Sequence, residues 1–105
     1  MKIIINDLEF NVCNANTFFK KLIGLMGKKE IKNGIFLNNT GSIHTFFMKS
    51  NIDIIMIDKK NRVVYYQKNV SKNKIIVKKK AKHTIELPSN SLSNIHIGDK
   101  LIIQD

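Results

Sequence analysis

The chain has 105 residues, of which 43% are hydrophobic and 25% are charged, and its formal net charge is +10. This balance excludes a disordered chain and predicts one globular domain over residues 1–105. The single cysteine, Cys13, excludes an internal disulfide and a multi-cysteine zinc site.

The N-terminal sequence and the cysteine content together predict a cytoplasmic location. Only three apolar residues follow Lys2 before Asn6, which is too few for the apolar region of a secretory signal. A free thiol is compatible with a reducing compartment. No apolar run approaches the roughly 20 residues of a membrane-spanning helix, so we expect no membrane span.

The positive charge consists almost entirely of lysine, since Arg62 is the sole arginine among 18 basic residues. Arginine is the preferred residue for bidentate contacts with phosphates and base edges. We therefore expect no specific nucleic-acid partner. One alternative is weak, salt-sensitive binding of nucleic acid or another polyanion through segment 68–82, which holds seven lysines and no acidic residue.

The first elements along the chain are a predicted hairpin and a predicted helix. Residues 2–5 and 8–13 predict two strands joined by a turn at Asn6-Asp7. Residues 14–27 carry a broad apolar stripe, and Gly27 can end it in the left-handed conformation, which predicts one N-terminal helix.

Beyond this helix the apolar residues alternate in short runs separated by polar turns, which is typical of strands. The runs that predict strands are 34–39, 42–49, 52–58, 63–67, 75–80 and 83–87. Segment 91–103 predicts a short helical turn and a closing strand. The expected fold is therefore mainly β, a barrel-like or sandwich-like domain with one N-terminal helix and a short C-terminal helical turn.

The strands predicted at 42–49 and 52–58 form a hairpin if Ser50-Asn51 is the turn. In that register His44 and Asp53 lie on one face, about 13 Å apart along the strands. This separation is too long for a direct hydrogen bond, which argues against a catalytic pair. The backbone can also satisfy each of these side chains, and an unpaired buried polar group would cost about 1–3 kcal/mol.

Two other polar positions give simpler expectations. Cys13 ends a predicted strand with no histidine nearby and is expected to be buried as a small apolar residue. Glu86 alternates with Ile85 and Leu87, so it is expected to face solvent or the rim of the barrel.

Several motifs occur in a specific order along the chain. They are KKLIGLMGKKEI (20–31), SIHTFFMKSNIDIIMID (42–58), RVVYY (62–66) and HTIELPSNSLSNIHIGDKL (83–101). The ordered set resembles the family known as domain of unknown function 192, although Ser89-Asn90 replaces the small residue and glycine that usually follow the proline. The resemblance implies a compact, barrel-like β fold with one or two short helices, and it implies no activity.

The densest group of mixed polar side chains next to aromatic residues lies around the predicted hairpin. We expect a non-enzymatic accessory domain with a shallow site for a small anionic or sugar-like ligand or for a partner peptide. The residues predicted to form it are Lys20, Lys21, His44, Thr45, Lys49 and Asp53. No cofactor or metal is expected, and the chain is expected to be a monomer or a weak oligomer. The alternative is an enzyme in which His44 and Asp53 are the acid–base groups.

Overall fold

The computed structural model describes residues 1–15 and 33–105. Within these ranges the chain forms nine strands and no helix. The strands are Lys2–Ile5 (β1), Leu8–Ala15 (β2), Gly34–Leu37 (β3), Ser42–His44 (β4), Ile52–Ile57 (β5), Val63–Val70 (β6), Ile75–Val77 (β7), His83–Pro88 (β8) and Ile102–Gln104 (β9).

Seven of these strands form one sheet in the order β6-β5-β8-β3-β2-β1-β9, whereas β4 and β7 form a separate antiparallel ribbon. The large sheet curls into a half-barrel. At one end its two edges approach each other through a bridge between Arg62 and Lys100. Next to this bridge the backbone N–H of Val63 donates to the carbonyl of Asp99 at 2.8 Å.

The predicted hairpin of β1 and β2 is confirmed, and a second hairpin joins β5 to β6. β1 pairs with β2 around Asn6, whose φ of 52° lies in the left-handed region that asparagine tolerates. β6 pairs back onto β5 around a turn in which Asn61 has a φ of 62°. These pairings follow from short alternating runs that flank a turn residue suited to positive φ.

β2 and β3 pair in parallel, with Val12 opposite Gly34. Glycine is required at position 34 because a Cβ there would lie 2.6 Å from the carbonyl oxygen of Glu86 and 2.6 Å from Cδ2 of Leu87. The absence of a side chain therefore lets β2, β3 and β8 pack closely.

β5 is buried along its whole length and contributes to both faces of the sheet. Ile55 and Ile57 belong to one core cluster, whereas Ile54 and Met56 belong to another. The second cluster also contains Ile43 from β4 and Ile76 from β7. The ribbon thus packs its inner side against one face of the half-barrel and turns its other side to solvent.

The predicted fold class is wrong in two respects. It includes helical elements, and it expects a barrel-like or sandwich-like arrangement of the strands. The sheet is a curled half-barrel, and the described part of the chain contains no helix. The predicted helix 14–27 begins within β2, which continues to Ala15 because it pairs with β3, and its remaining residues lie outside those described. Segment 91–96 is irregular because the carboxylate of Asp53 binds its first backbone N–H groups.

The predicted hairpin around Ser50-Asn51 is also wrong. β4 ends at His44 and pairs with β7, while β5 lies between β6 and β8. Residues 45–51 make an irregular connection between the ribbon and the large sheet.

Within residues 1–15 and 33–105, no helix has the length and apolar character needed to cross a membrane.

Candidate functional site

A cavity of about 580 Å³ lies between two irregular segments that connect the ribbon to the large sheet. One wall consists of residues 48–51 and the other of Ser71 and Lys72. We call this space the loop cavity. Its lining supplies two ammonium groups, two hydroxyls and one amide beside the thioether of Met48, a set that suits an anion or a polyhydroxylated molecule.

Thr45 joins the two walls of the loop cavity. Its side chain is fully buried. Its hydroxyl donates to the carbonyl of Ser71 and accepts the backbone N–H of Lys74, both at 2.8 Å. Its own N–H donates to the carbonyl of Lys74 at 2.9 Å, and its carbonyl accepts the N–H of Met48 at 3.3 Å. Thr45 therefore positions the walls and leaves no hydroxyl hydrogen for a ligand.

Asp53 lies on β5 of the large sheet and supports the second wall of the loop cavity. Its side chain is fully buried, and Oδ1 accepts the backbone N–H of Asn69 at 2.8 Å. Oδ2 accepts the backbone N–H groups of Ser91 at 2.8 Å and Leu92 at 2.9 Å. Both oxygens are thus occupied by the backbone, and the carboxylate anchors β6 and segment 91–92 to β5.

His44 lies on the ribbon and not on the strand that carries Asp53. It is half-buried, pairs across the ribbon with Ile75 and accepts the backbone N–H of Phe46 through Nδ1 at 3.2 Å. Its ring stacks on that of Phe46 with 5.4 Å between the centroids. The structure therefore does not bring His44 and Asp53 together as a pair.

Of the predicted site residues that the structure describes, Lys49 alone lines the loop cavity, and Thr45 and Asp53 lie behind it. Lys20 and Lys21 lie outside the described residues. Sequence reasoning missed Ser71 and Lys72 as the second wall. No sequence signal links them to residues 48–51, since the contact depends on the long-range hydrogen bonds of Thr45.

Different lysines of segment 68–82 line different cavities. Lys68 lines a cavity of about 280 Å³ with Tyr66 and segment 92–96. Lys74 and Lys78 instead line a cavity of about 370 Å³ beside Tyr65. The ammonium group of Lys78 lies 4.5 Å from the centroid of the Tyr65 ring, and burial raises the pKa of that tyrosine.

Two single-residue expectations are wrong. Cys13 is exposed, whereas its neighbour Val12 points to the other face of β2 and takes a core position there. Glu86 is buried, because β8 lies between β5 and β3 in the middle of the sheet.

Across residues 1–15 and 33–105 no three His, Cys, Asp or Glu side chains group closely enough to hold a metal ion.

Comparison with known proteins gives one matching family. The family model DUF192, described as "Uncharacterized ACR, COG1430", matches residues 1–103. A UPF0127 protein from Pyrococcus horikoshii is 34% identical over 100 residues, covering 89% of this chain and 87% of the relative. A UPF0127 protein from Thermococcus kodakarensis is 32% identical over 91 residues, covering 81% of this chain. The match spans 58% of that relative's length, so the relative is considerably longer.

Two solved structures share the fold. A protein of unknown function from Novosphingobium aromaticivorans superposes with a TM-score of 0.86 at 18% identity, covering 97% of this chain and 84% of the other. A protein from Sinorhizobium meliloti, for which a role in transcription regulation has been suggested, gives a TM-score of 0.82 at 16% identity. That match covers 96% of this chain and 89% of the other. At these identities the likeness extends to the fold alone.

Proposed function

The chain belongs to the DUF192 family of uncharacterised proteins, and we propose that it is a non-enzymatic accessory domain that binds a small anionic or sugar-like ligand in the loop cavity. The observation that carries this proposal is that Lys49 and Lys72, which belong to opposite walls, both line one space of about 580 Å³. This volume is within the range of small-molecule sites in proteins.

The chemistry of the lining favours a phosphate or a phosphorylated sugar. Two ammonium groups supply positive charge and rotatable donors, and Ser71 adds a hydroxyl that can donate or accept. Among the described residues that line the cavity, none carries an acidic side chain that would oppose an anion. Met48 offers the apolar surface on which the carbon face of a sugar ring can rest.

The walls are held in place before any ligand arrives. Thr45 fixes Ser71 to the opposite wall, and Asp53 fixes Asn69 just before the second wall begins. The side-chain amide of Asn51 donates to Oδ1 of Asn69 at 3.1 Å, which adds a third hydrogen-bonded connection near the walls. A site that is ordered in advance loses less conformational entropy when it binds.

The same proposal includes a cytoplasmic location. Cys13 is a free, exposed thiol, and the sequence contains no second cysteine with which it could pair. Such a thiol persists where the compartment is reducing.

Isothermal titration calorimetry with inorganic phosphate, glucose 6-phosphate and glucose tests the proposal. We expect the phosphorylated sugar to bind more tightly than either of the others. We expect Lys49→Gln and Lys72→Gln each to weaken its binding roughly fivefold, since one solvated charge-assisted contact contributes about 1 kcal/mol. Lys59→Gln, in the turn between β5 and β6, is the control that removes the same charge elsewhere.

Equal losses of affinity in Lys49→Gln and Lys59→Gln would show that the ligand responds only to the overall charge of the protein. That result would contradict the assignment of binding to this cavity. The absence of heat with all three probes would contradict it as well.

A further inference from the structure

The outward side of the ribbon carries apolar side chains that nothing in the described chain covers. Ile75 is 66% exposed and Val77 is 59% exposed. They pair with His44 and Ser42 across the ribbon, and residues directly opposite each other share one face. The opposite side carries Ile43 and Ile76, which are buried against the half-barrel. The ribbon is thus apolar on both sides.

Two exposed phenylalanines follow the end of β4. Phe46 stacks on His44 and is partly exposed, and Phe47 is 77% exposed. We call the set His44, Phe46, Phe47, Ile75 and Val77 the ribbon face. Exposed apolar side chains gathered on one ribbon and on the segment that follows it indicate an interaction surface.

The backbone at Phe47 shows that this exposure is built into the fold. Eight described residues other than glycine have positive φ, and seven of them are asparagine. The eighth is Phe47, with a φ of 64°. A bulky residue is unfavourable in this region of backbone conformation, whereas asparagine tolerates it. The backbone strain at Phe47 is explained if its phenyl ring contacts a partner outside the chain.

Lysines lie next to the ribbon face in sequence, and acidic residues are absent from the same segments. Lys74 and Lys78 flank the two exposed residues of β7 and line a cavity with them. Neither residues 31–52 nor residues 59–85 include an aspartate or glutamate. The surface that meets the ribbon face must therefore combine negative charge with an apolar layer.

We propose that the ribbon face docks on an anionic lipid bilayer, with Phe47 inserted at the level of the acyl chains and the lysines at the headgroups. A bilayer offers this combination over an area that a flat, two-stranded ribbon can lie against. The interaction lies beyond the proposed ligand function and uses a different surface. Failure of either one therefore leaves the other standing.

The sequence contains no tryptophan, so a single introduced tryptophan reports on one position. With vesicles of phosphatidylglycerol and phosphatidylcholine, we expect the emission of Phe47→Trp to shift to shorter wavelength. The matched variant Ile97→Trp, at an exposed apolar position in a turn outside the ribbon, should not shift. With vesicles of phosphatidylcholine alone, neither should shift.

Vesicle co-sedimentation gives the affinity. Phe47→Asn should lower the partition coefficient at least about tenfold, as expected for the loss of one buried aromatic ring. Lys74→Gln combined with Lys78→Gln should lower it roughly tenfold to thirtyfold. Lys59→Gln combined with Lys60→Gln removes the same charge from a turn at one end of the half-barrel and should have a clearly smaller effect.

Three outcomes would overturn the proposal. They are wild-type affinity in Phe47→Asn, equal losses in the two double lysine variants, and no binding of the unaltered chain to anionic vesicles. Binding to polyglutamate without binding to vesicles would also overturn it, and would assign the ribbon face to an acidic protein.

Discussion

The carboxylate of Asp53 accepts the backbone N–H of Asn69 at 2.8 Å at a point where the pairing of β5 with β6 slips. Ile52 is opposite Val70 and Ile54 is opposite Gln67, so β6 has one residue more than β5 between these pairs. A bulge of this kind leaves a backbone group without its partner in the ladder. Asp53 supplies that partner and thereby sets where the second wall of the loop cavity begins.

Asp53→Ala is expected to destabilise the fold strongly. The change leaves three backbone N–H groups without an acceptor, two of them in segment 91–92. Since a buried unpaired donor costs about 1–3 kcal/mol, we expect a loss of about 3 kcal/mol in the free energy of unfolding. Urea denaturation measures it, with Asp7→Ala in the exposed β1–β2 turn as the control. Equal midpoints for the two variants would rule out the anchoring role.

Thr45→Val tests the link between the two walls. Valine has the shape of threonine but lacks the hydroxyl that binds Ser71 and Lys74. We expect a loss of about 2 kcal/mol in the free energy of unfolding and weaker binding of glucose 6-phosphate. Thr45→Ser keeps the hydroxyl and should recover most of both. If the serine variant is no better than the valine variant, the hydroxyl is not the cause.

Phe47→Asn is expected to make the protein more stable. Asparagine tolerates the positive φ at this position, and the phenyl ring buries little surface in the isolated chain. We expect a gain of about 1 kcal/mol in thermal unfolding. Phe46→Asn, at the neighbouring position without positive φ, should give no gain. A less stable Phe47→Asn would show that the ring packs against the protein.

Asp99 makes stability depend on pH. The side-chain amide of Asn6, followed by the backbone N–H of His96, lowers the pKa of this carboxyl below its ordinary value of 3.8. A lowered pKa in the folded state means that the ionised form contributes stability above the ordinary pKa. The contribution is lost as the pH falls through the folded value.

The urea midpoint of the unaltered chain should therefore differ from that of Asp99→Asn at pH 7. The difference between the two midpoints should shrink as the pH falls toward 3. Asp7→Asn is the control for removing one carboxylate from the same end of the sheet. A difference that stays constant between pH 7 and pH 3 would show that Asp99 does not act through its charge.

The strands of the half-barrel were largely predictable, because short alternating runs flank asparagine turns at Asn6 and Asn61. The pairing of β4 was not predictable. Ser50-Asn51 has the composition of a tight turn, and local pattern alone favours a hairpin there. The hydrogen bonds of Thr45 to a segment 26 to 29 residues away decide otherwise, and no periodicity encodes them.

The candidate site was predictable only in its neighbourhood. Lys49 was identified because it lies beside aromatic residues, and it does line the loop cavity. Asp53 was expected to face a ligand because it belongs to the same group of polar side chains near aromatic residues. Its engagement with three backbone groups depends on the bulge in β6 and on the path of segment 91–92, and both are tertiary features.

Titration of the isotopically labelled protein with glucose 6-phosphate, followed by amide nitrogen–proton correlation spectra, tests the central claim most directly. If the loop cavity binds the ligand, the amide signals of residues 48–51 and 71–72 should shift saturably, and Lys49→Gln should weaken the response. Saturable shifts confined to other surfaces, or no shifts at all, would contradict the claim.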